Sequence, residues 1–252
     1  MITIQNLYKY PLKSGAALAC KSVTGGGCGF HGDREFCLYR QSDNKFISLR
    51  DNVLIADLHV IAEGNNLKIS FNRNTKFFDI SSMVNSNIRI WSRDVDVNVM
   101  PADISRYVSL LIQEDVILGR LVHYEDYSQS FMDTGPIHII SESAVNQLST
   151  ISGFYSIDHQ IFRPNIVVPD FAGLQESRVK KIMINGFLFN VTERTERCNA
   201  VSVLQNKRHS VDNSDLLASI DAANQHDGAF FGLYLKAQGK FRVNIGDEVV
   251  IN

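Results

Sequence analysis

Residues 58–71, LHVIAEGNNLKISF, carry the pattern that decides the fold. Apolar and polar side chains alternate on either side of Gly64-Asn65-Asn66, as they must when successive residues point to opposite faces of a strand. A Gly-Asn-Asn sequence between two such runs closes a tight hairpin. The same alternation or β-branched enrichment returns in MITIQNLYKY, REFCLYR, KFISL, NIRIW and DVDVNVM, so the first hundred residues read as short strands of a β-barrel or sandwich.

Outward from that region the period changes. In PADISRYVSLLIQ, Ile104, Val108 and Leu111 recur at helical spacing behind a Pro-Ala-Asp start, which predicts a short amphipathic helix. SESAVNQLSTIS predicts a second helix, capped by Ser141 or Ser143 and striped by Val145, Leu148 and Ile151. FRPNIVV, KKIMINGFLFNVTE and NAVSVL read as strands, NSDLLASIDAA as a helix, and FFGLYLKAQGKFRVNIGDEVVIN as closing strands with turns at Gly239 and Gly246. The expected fold class is mainly β with a few short helices (α+β). The expected division is a domain over 1–120 and another over 121–252, with the boundary inside 100–135.

The chain has 252 residues, 44% hydrophobic and 21% charged, enough for a sizeable core. Its formal net charge of -2 gives no global field that would draw it to nucleic acid or an anionic membrane, so a bound anion must be held by a local cluster. MITIQNLYKYPLKSG lacks the apolar core and cleavage site of a secretory signal, and no later run approaches a membrane span in length. A cytoplasmic protein is expected. Cys20, Cys28, Cys37 and Cys198 form no C-x-x-C pair, which argues against a zinc ribbon, an iron–sulfur cluster and a thioredoxin-like motif.

Several motifs lose their functional reading on inspection. GGGCGFHGD, residues 25–33, lacks the Gly-Lys-Ser/Thr ending of a phosphate loop. No two histidines stand at H-x-H or H-x-x-x-H spacing, and no G-x-S-x-G occurs. The aromatics of GAFFGLYLKA read as core. Four pieces remain: YPLKSG, HGDREF, FRPNIVV and TERCNAVSV, each with a cation or a soft ligand in an unusual setting. Singly, Lys13, Arg34, Arg163 and Cys198 have ordinary structural readings as a turn lysine, an ion-pair partner, a strand-edge arginine and a small buried hydrophobe.

Taken in order, these pieces resemble the MOSC family in the version preceded by an N-terminal β-barrel domain, like the YcbX-like proteins and the mitochondrial amidoxime-reducing component. YPLKS is similar to the family's P-x-K-S element and GFHGDREF to its D-R-x-F element, while RIWSRDVDVNVMPADISRYVSLLI is similar to its barrel-to-helix passage. DTGPIHIISESAVNQL resembles the opening of the MOSC half, FRPNIVV its most specific motif, ERCNAVSV its R-C pair, and FRVNIGDEVVI its closing strands.

The resemblance implies an N-terminal β-barrel domain packed against a β-barrel MOSC domain. It implies a molybdenum cofactor (molybdopterin) in a cleft between them, with Cys198 as catalytic residue and metal ligand. Lys13, Ser14, Arg34, Thr134, Gly135, Arg163, Asn165 and Arg197 would hold the pterin and its phosphate. The implied reaction is reduction of small N-hydroxylated substrates, and a family-level association with pyridoxal phosphate comes with it.

Two departures follow. Glu196 stands where relatives carry a small polar residue, and the sequence ends at VVIN without a ferredoxin domain, so a separate ferredoxin- or flavodoxin-type electron donor is expected. Chemically, a thiolate suits a soft metal and neighbouring cations favour that form. Guanidinium groups bind phosphate oxygens in pairs. Two other uses of Cys198 stay open, as carrier of a persulfide in sulfur transfer or as anchor in a non-catalytic cofactor carrier.

Overall fold

The computed structural model describes residues 1–154, 156–170, 178–209 and 215–251. The chain divides into two compact units that interleave in sequence: a larger one of Met1–Lys9, Ala19–His31 and Asp133–Asn252, and a smaller one of Tyr10–Leu18 and Gly32–Met132. Strands dominate both, as expected. No helix among the described residues is long and apolar enough to cross a membrane.

In the smaller unit, the hairpin of residues 58–71 forms as its alternation requires. His59–Glu63 pairs with Asn66–Phe71, which pairs in turn with Asn74–Asp79. A five-stranded antiparallel sheet runs Val84–Ile90, Arg93–Val99, Ile117–Leu121, Phe36–Tyr39 and Phe46–Ile47. Phe36–Tyr39 is buried on both faces. Phe36 and Leu38 join one core with Ile55, Val60 and Ile69, while Cys37 and Tyr39 join another with Ile88, Val95 and Phe131. Helix α1, Ala102–Ile112, buries Ile104, Val108 and Ile112 against the first of these cores, as its apolar period demands.

The larger unit is built on a nine-stranded sheet, in the order Ile2–Thr3, Glu248–Ile251, Lys181–Ile184, Phe187–Glu196, Phe230–Ala237, Ile137–Ser141, Ile166–Val168, Asn6–Lys9 and Leu18–Cys20. Ile137–Ser141 and Ile166–Val168 run parallel, joined through helix α2, Glu142–Ser152, whose N-terminus is capped by Ser141 accepting from the Ala144 N–H. Such a crossover is what a parallel pair needs. Phe187–Glu196 returns from Lys181–Ile184 through Asn185-Gly186, both at positive φ, so KKIMINGFLFNVTE, read as strand, forms a hairpin between FRPNIVV and the R-C pair.

Two helices complete the unit. The segment NAVSVL, expected as a strand, is instead the start of helix α3, Ala200–His209. Val201, Leu204 and Gln205 are buried at helical spacing, so burial along a continuous helix overrides the short alternation of Val201 and Val203. Helix α4, Leu216–Ala223, is capped by Asp215 accepting from Ala218 N, and the first two residues of its expected span lie outside the described residues.

Asn165 ties three strands of this sheet. Its N–H donates to the His138 carbonyl at 2.7 Å and its carbonyl accepts from Tyr8 N at 2.9 Å. Its side-chain Oδ1 accepts from His138 N at 3.0 Å and its Nδ2 donates to the Tyr8 carbonyl at 3.2 Å. His138 is itself buried, its Nε2 lying 3.2 Å from the Phe231 carbonyl. The chain can pass that close only because residue 232 is glycine: at φ +85, a Cβ there would stand 2.3 Å from His138 Nε2.

Removing the Asn165 amide strands a buried N–H and a buried carbonyl, each worth about 1–3 kcal/mol when left unsatisfied. Asn165→Ala is therefore expected to lose about 2–4 kcal/mol of stability in chemical denaturation, whereas Thr134→Ala, at an exposed position, should match the wild type.

Candidate functional site: the Arg197-Cys198 pair and the arginine loop

The strand Phe187–Glu196 pairs with Phe230–Ala237 through two register shifts, between Val191 and Glu193 and between Arg194 and Glu196. Such bulges bend and twist a strand, and this one delivers the chain to Arg197. Arg197 N donates to the Ala229 carbonyl at 2.7 Å. Its Nη2 donates to the Phe162 carbonyl at 2.9 Å, joining positions 35 apart in sequence, and its guanidinium carbon lies 6.0 Å from the centre of the Phe162 ring. Arg197 Nε is buried with no hydrogen-bond partner among the described residues.

Cys198 follows with an exposed thiol. Its carbonyl accepts from Val201 N at 3.2 Å and that of Asn199 from Val203 N at 3.0 Å, so the thiol stands at the opening of α3. A helix N-terminus presents free N–H groups and partial positive charge. The half-buried Arg197 adds a full one. Glu196, the departure from the family pattern, is exposed at the end of its strand.

The arginine loop comes to this pair from the other side of the motif set. Asp158 caps a 3-10 turn, His159–Phe162, by accepting from Gln160 N, and Arg163 ends it in the left-handed conformation at φ 55, ψ 48. A non-glycine residue there costs about 1–2 kcal/mol. Phe162 is fully buried and stacks on Phe231 with centroids 4.0 Å apart and planes 20° apart. The half-buried Arg163 is thus carried on a rigid corner next to the carbonyl that Arg197 holds.

Other expected contacts lie in the same unit with different roles. Asn165 spends both ends of its amide on the Tyr8 and His138 backbones. Thr134 is exposed, and Gly135 is packed beneath Tyr234, where a Cβ would approach the ring to 2.2 Å. Arg194, near Cys198 in sequence, bonds Asp227 at 2.9 Å and Asn224 at 2.7 Å and lies 4.1 Å from the Phe230 ring centre. It fastens the 224–230 turn.

Lys13, Ser14 and Arg34 belong to the smaller unit. Lys13 is buried, donating from Nζ to the Phe131 carbonyl at 2.8 Å with the Phe46 ring centre 5.1 Å away. Ser14 occupies a turn closed by Gly15 N to the Leu12 carbonyl, at φ 68. Arg34, at φ 47, pairs with buried Asp33 and lies 4.6 Å from the Tyr10 ring centre, while Asp33 also accepts from Tyr10 N at 2.6 Å. Ser14, Arg34 and Arg163 share the left-handed backbone conformation, which also occurs at Asn44, Trp91 and Gln113 and so does not by itself mark a site.

Sequence reasoning missed the Phe162–Phe231 stack and a polar chain behind the arginine loop. Tyr8 OH lies 3.0 Å from His159 Nε2, and His159 Nδ1 lies 2.9 Å from Glu142 Oε2. No spacing signal announces either, because the partners are brought together by the sheet.

Two domain families match this chain: the MOSC N-terminal beta barrel domain over residues 1–115 and the MOSC domain over 126–250. The chain belongs to the MOSC domain family, which is associated with the molybdenum cofactor. It is 23% identical over 239 residues to a molybdenum cofactor sulfurase of Caenorhabditis elegans, covering 93% of this chain but only 33% of that protein. The chain thus spans about a third of that relative's length. Among solved structures, the YuaD protein of Bacillus subtilis aligns over 99% of this chain and 94% of its own, with a TM-score of 0.50 and 13% identity, a likeness of fold.

The cysteines differ sharply in access. Cys37 is fully buried, and burial pushes its thiol far above the ordinary range, so it is inert in the native protein. Alkylation of native protein followed by peptide mapping should label Cys198 first and Cys37 only after denaturation, and Cys198→Ser should remove the fastest phase.

Proposed function

We propose that this chain binds the molybdenum cofactor through Cys198 and reduces N-hydroxylated compounds in the cytoplasm, drawing electrons from a separate ferredoxin- or flavodoxin-type protein. The observation that carries this reading is the Arg197 Nη2 bond to the Phe162 carbonyl, which sets the R-C pair against the arginine loop in a MOSC family member.

The residues fit such a group. Among the described residues no cluster of three or more His, Cys, Asp or Glu could hold a metal ion, so Cys198 suits a metal that arrives with donors of its own. The orphaned Nε of Arg197 is a buried donor awaiting an acceptor. Arg163 and Arg197 would hold the cofactor's phosphate, and Cys198 would be the protein's ligand to the metal.

The bound cofactor supplies the two-electron redox chemistry. Overall, an N–OH group takes up two electrons and two protons, becomes N–H and releases water. The chain's part is to fix the cofactor by its cations, to present one thiolate from the start of α3, and to leave that face open, as the exposure of Cys198 allows.

A second reading is favoured by that same exposure and by the likeness to a cofactor sulfurase: Cys198 carries a persulfide and passes on its sulfur.

Protein made in a cofactor-competent host should hold near-stoichiometric molybdenum and pterin. Arg163→Ala keeps a Cβ at the same φ and should fold, but should retain the cofactor roughly ten- to a hundred-fold less tightly. Cys198→Ser should keep pterin yet lose reduction of hydroxylamine-type substrates by an artificial donor. Folded protein persistently free of both metal and pterin would refute cofactor binding. A labile sulfur adduct on Cys198, without reductase turnover of the loaded protein, would establish the second reading instead.

A further inference from the structure

The larger unit carries a cavity of about 430 Å³ lined by Lys9, Ser22, Val23, Thr24, His31 and Arg242, apart from the residues assigned to the cofactor. GGGCGFHGD, which fails as a phosphate loop, contributes to it in another way. Strand Ser22–Gly26 pairs with Gly29–Phe30, and the chain leaves that hairpin at His31.

Register then assembles the polar wall. Strand Phe241–Asn244 pairs with Ser22–Gly26 so that Arg242 stands opposite Thr24, and Ser22, two residues from Thr24, lies on the same face. His31 N donates to the Thr24 carbonyl at 2.9 Å, and His31 Nδ1 lies 3.1 Å from Thr24 Oγ1. Arg242 Nε donates to Ser22 Oγ at 3.2 Å, which steadies the guanidinium and leaves its two amino groups without a partner among the described residues. Lys9 Nζ donates to the His31 carbonyl at 3.3 Å. No carboxylate lines the cavity, and neither Lys9 nor Arg242 forms an ion pair among the described residues.

We propose that this cavity is a second anion site, one that takes a phosphomonoester dianion. Two fixed cations facing one concave surface repel each other unless an anion lies between them. A guanidinium, an ammonium, an imidazole and two hydroxyls offer more donors than the two oxygens of a carboxylate can accept, and they suit the three terminal oxygens of a phosphate. The volume falls in the roughly 300–1,000 Å³ range of small-molecule sites, so the wall also accommodates the organic group of an ester. Val23, the one apolar residue of the lining, turns its side chain into the core, which makes the ligand a polar one.

The test is an amide-shift titration of the isotope-labelled chain with inorganic phosphate and, separately, with a polar phosphomonoester, glycerol 3-phosphate. Saturable shifts are expected at residues 22–24, 31 and 242 with either ligand, tighter for the ester and weakened by added salt. The double variant Lys9→Gln/Arg242→Gln should lose at least tenfold in affinity for both ligands. Arg163→Ala should keep the same shifts, which separates this site from the cofactor clamp and makes its outcome independent of cofactor binding. Shifts absent from these residues, or a double variant that titrates like the wild type, would overturn the site. Equal affinity for the two ligands would overturn its assignment to an ester.

Discussion

The larger unit depends on Asn165. Its backbone and its side chain each form one bond to Tyr8 and one to His138, so a single residue stitches the first strands of the chain to a parallel pair formed more than a hundred residues later. Buried peptide groups must be paired, and a buried asparagine that serves four of them, two through its backbone and two through its amide, leaves the chain little freedom. The arginine loop ends three residues before the strand that Asn165 anchors, so the corner at Arg163 inherits that rigidity. Phe162, locked against Phe231, then offers Arg197 its carbonyl, and the position of Cys198 follows from that bond. A residue that resemblance assigns to the cofactor thus holds the frame on which the cofactor residues stand.

Much of this fold was legible in the sequence because it rests on local rules. Period-two runs became strands, Asn185-Gly186 became a hairpin turn, and the apolar stripes at Ile104 and Val145 became helices. NAVSVL was misread because six residues satisfy both periods; only continuation through QNKRH, with Leu204 and Gln205 turned inward, distinguishes a helix. The interleaving of the two units is a long-range property that no local pattern records.

The site was legible in part. Motif order pointed to Arg163, Arg197 and Cys198, and the structure joins the first two motifs through Phe162. It did not reveal which cations are already spent. Arg194 is two residues from Glu196 yet serves Asp227 and Asn224, and Arg34 is paired with Asp33, because partners distant in sequence or fixed by side-chain geometry decide where a charge goes. Nor could sequence reveal the left-handed backbone at Ser14, Arg34 and Arg163, where a long or polar residue occupies a conformation that favours glycine.

The central claim is that Cys198 supplies the thiolate through which the chain holds molybdenum. X-ray absorption at the molybdenum edge counts the sulfur atoms around the metal directly. Cofactor-loaded wild type and Cys198→Ser should differ by one sulfur scatterer, replaced by oxygen in the variant. An unchanged sulfur count in a fully loaded Cys198→Ser protein would contradict the account.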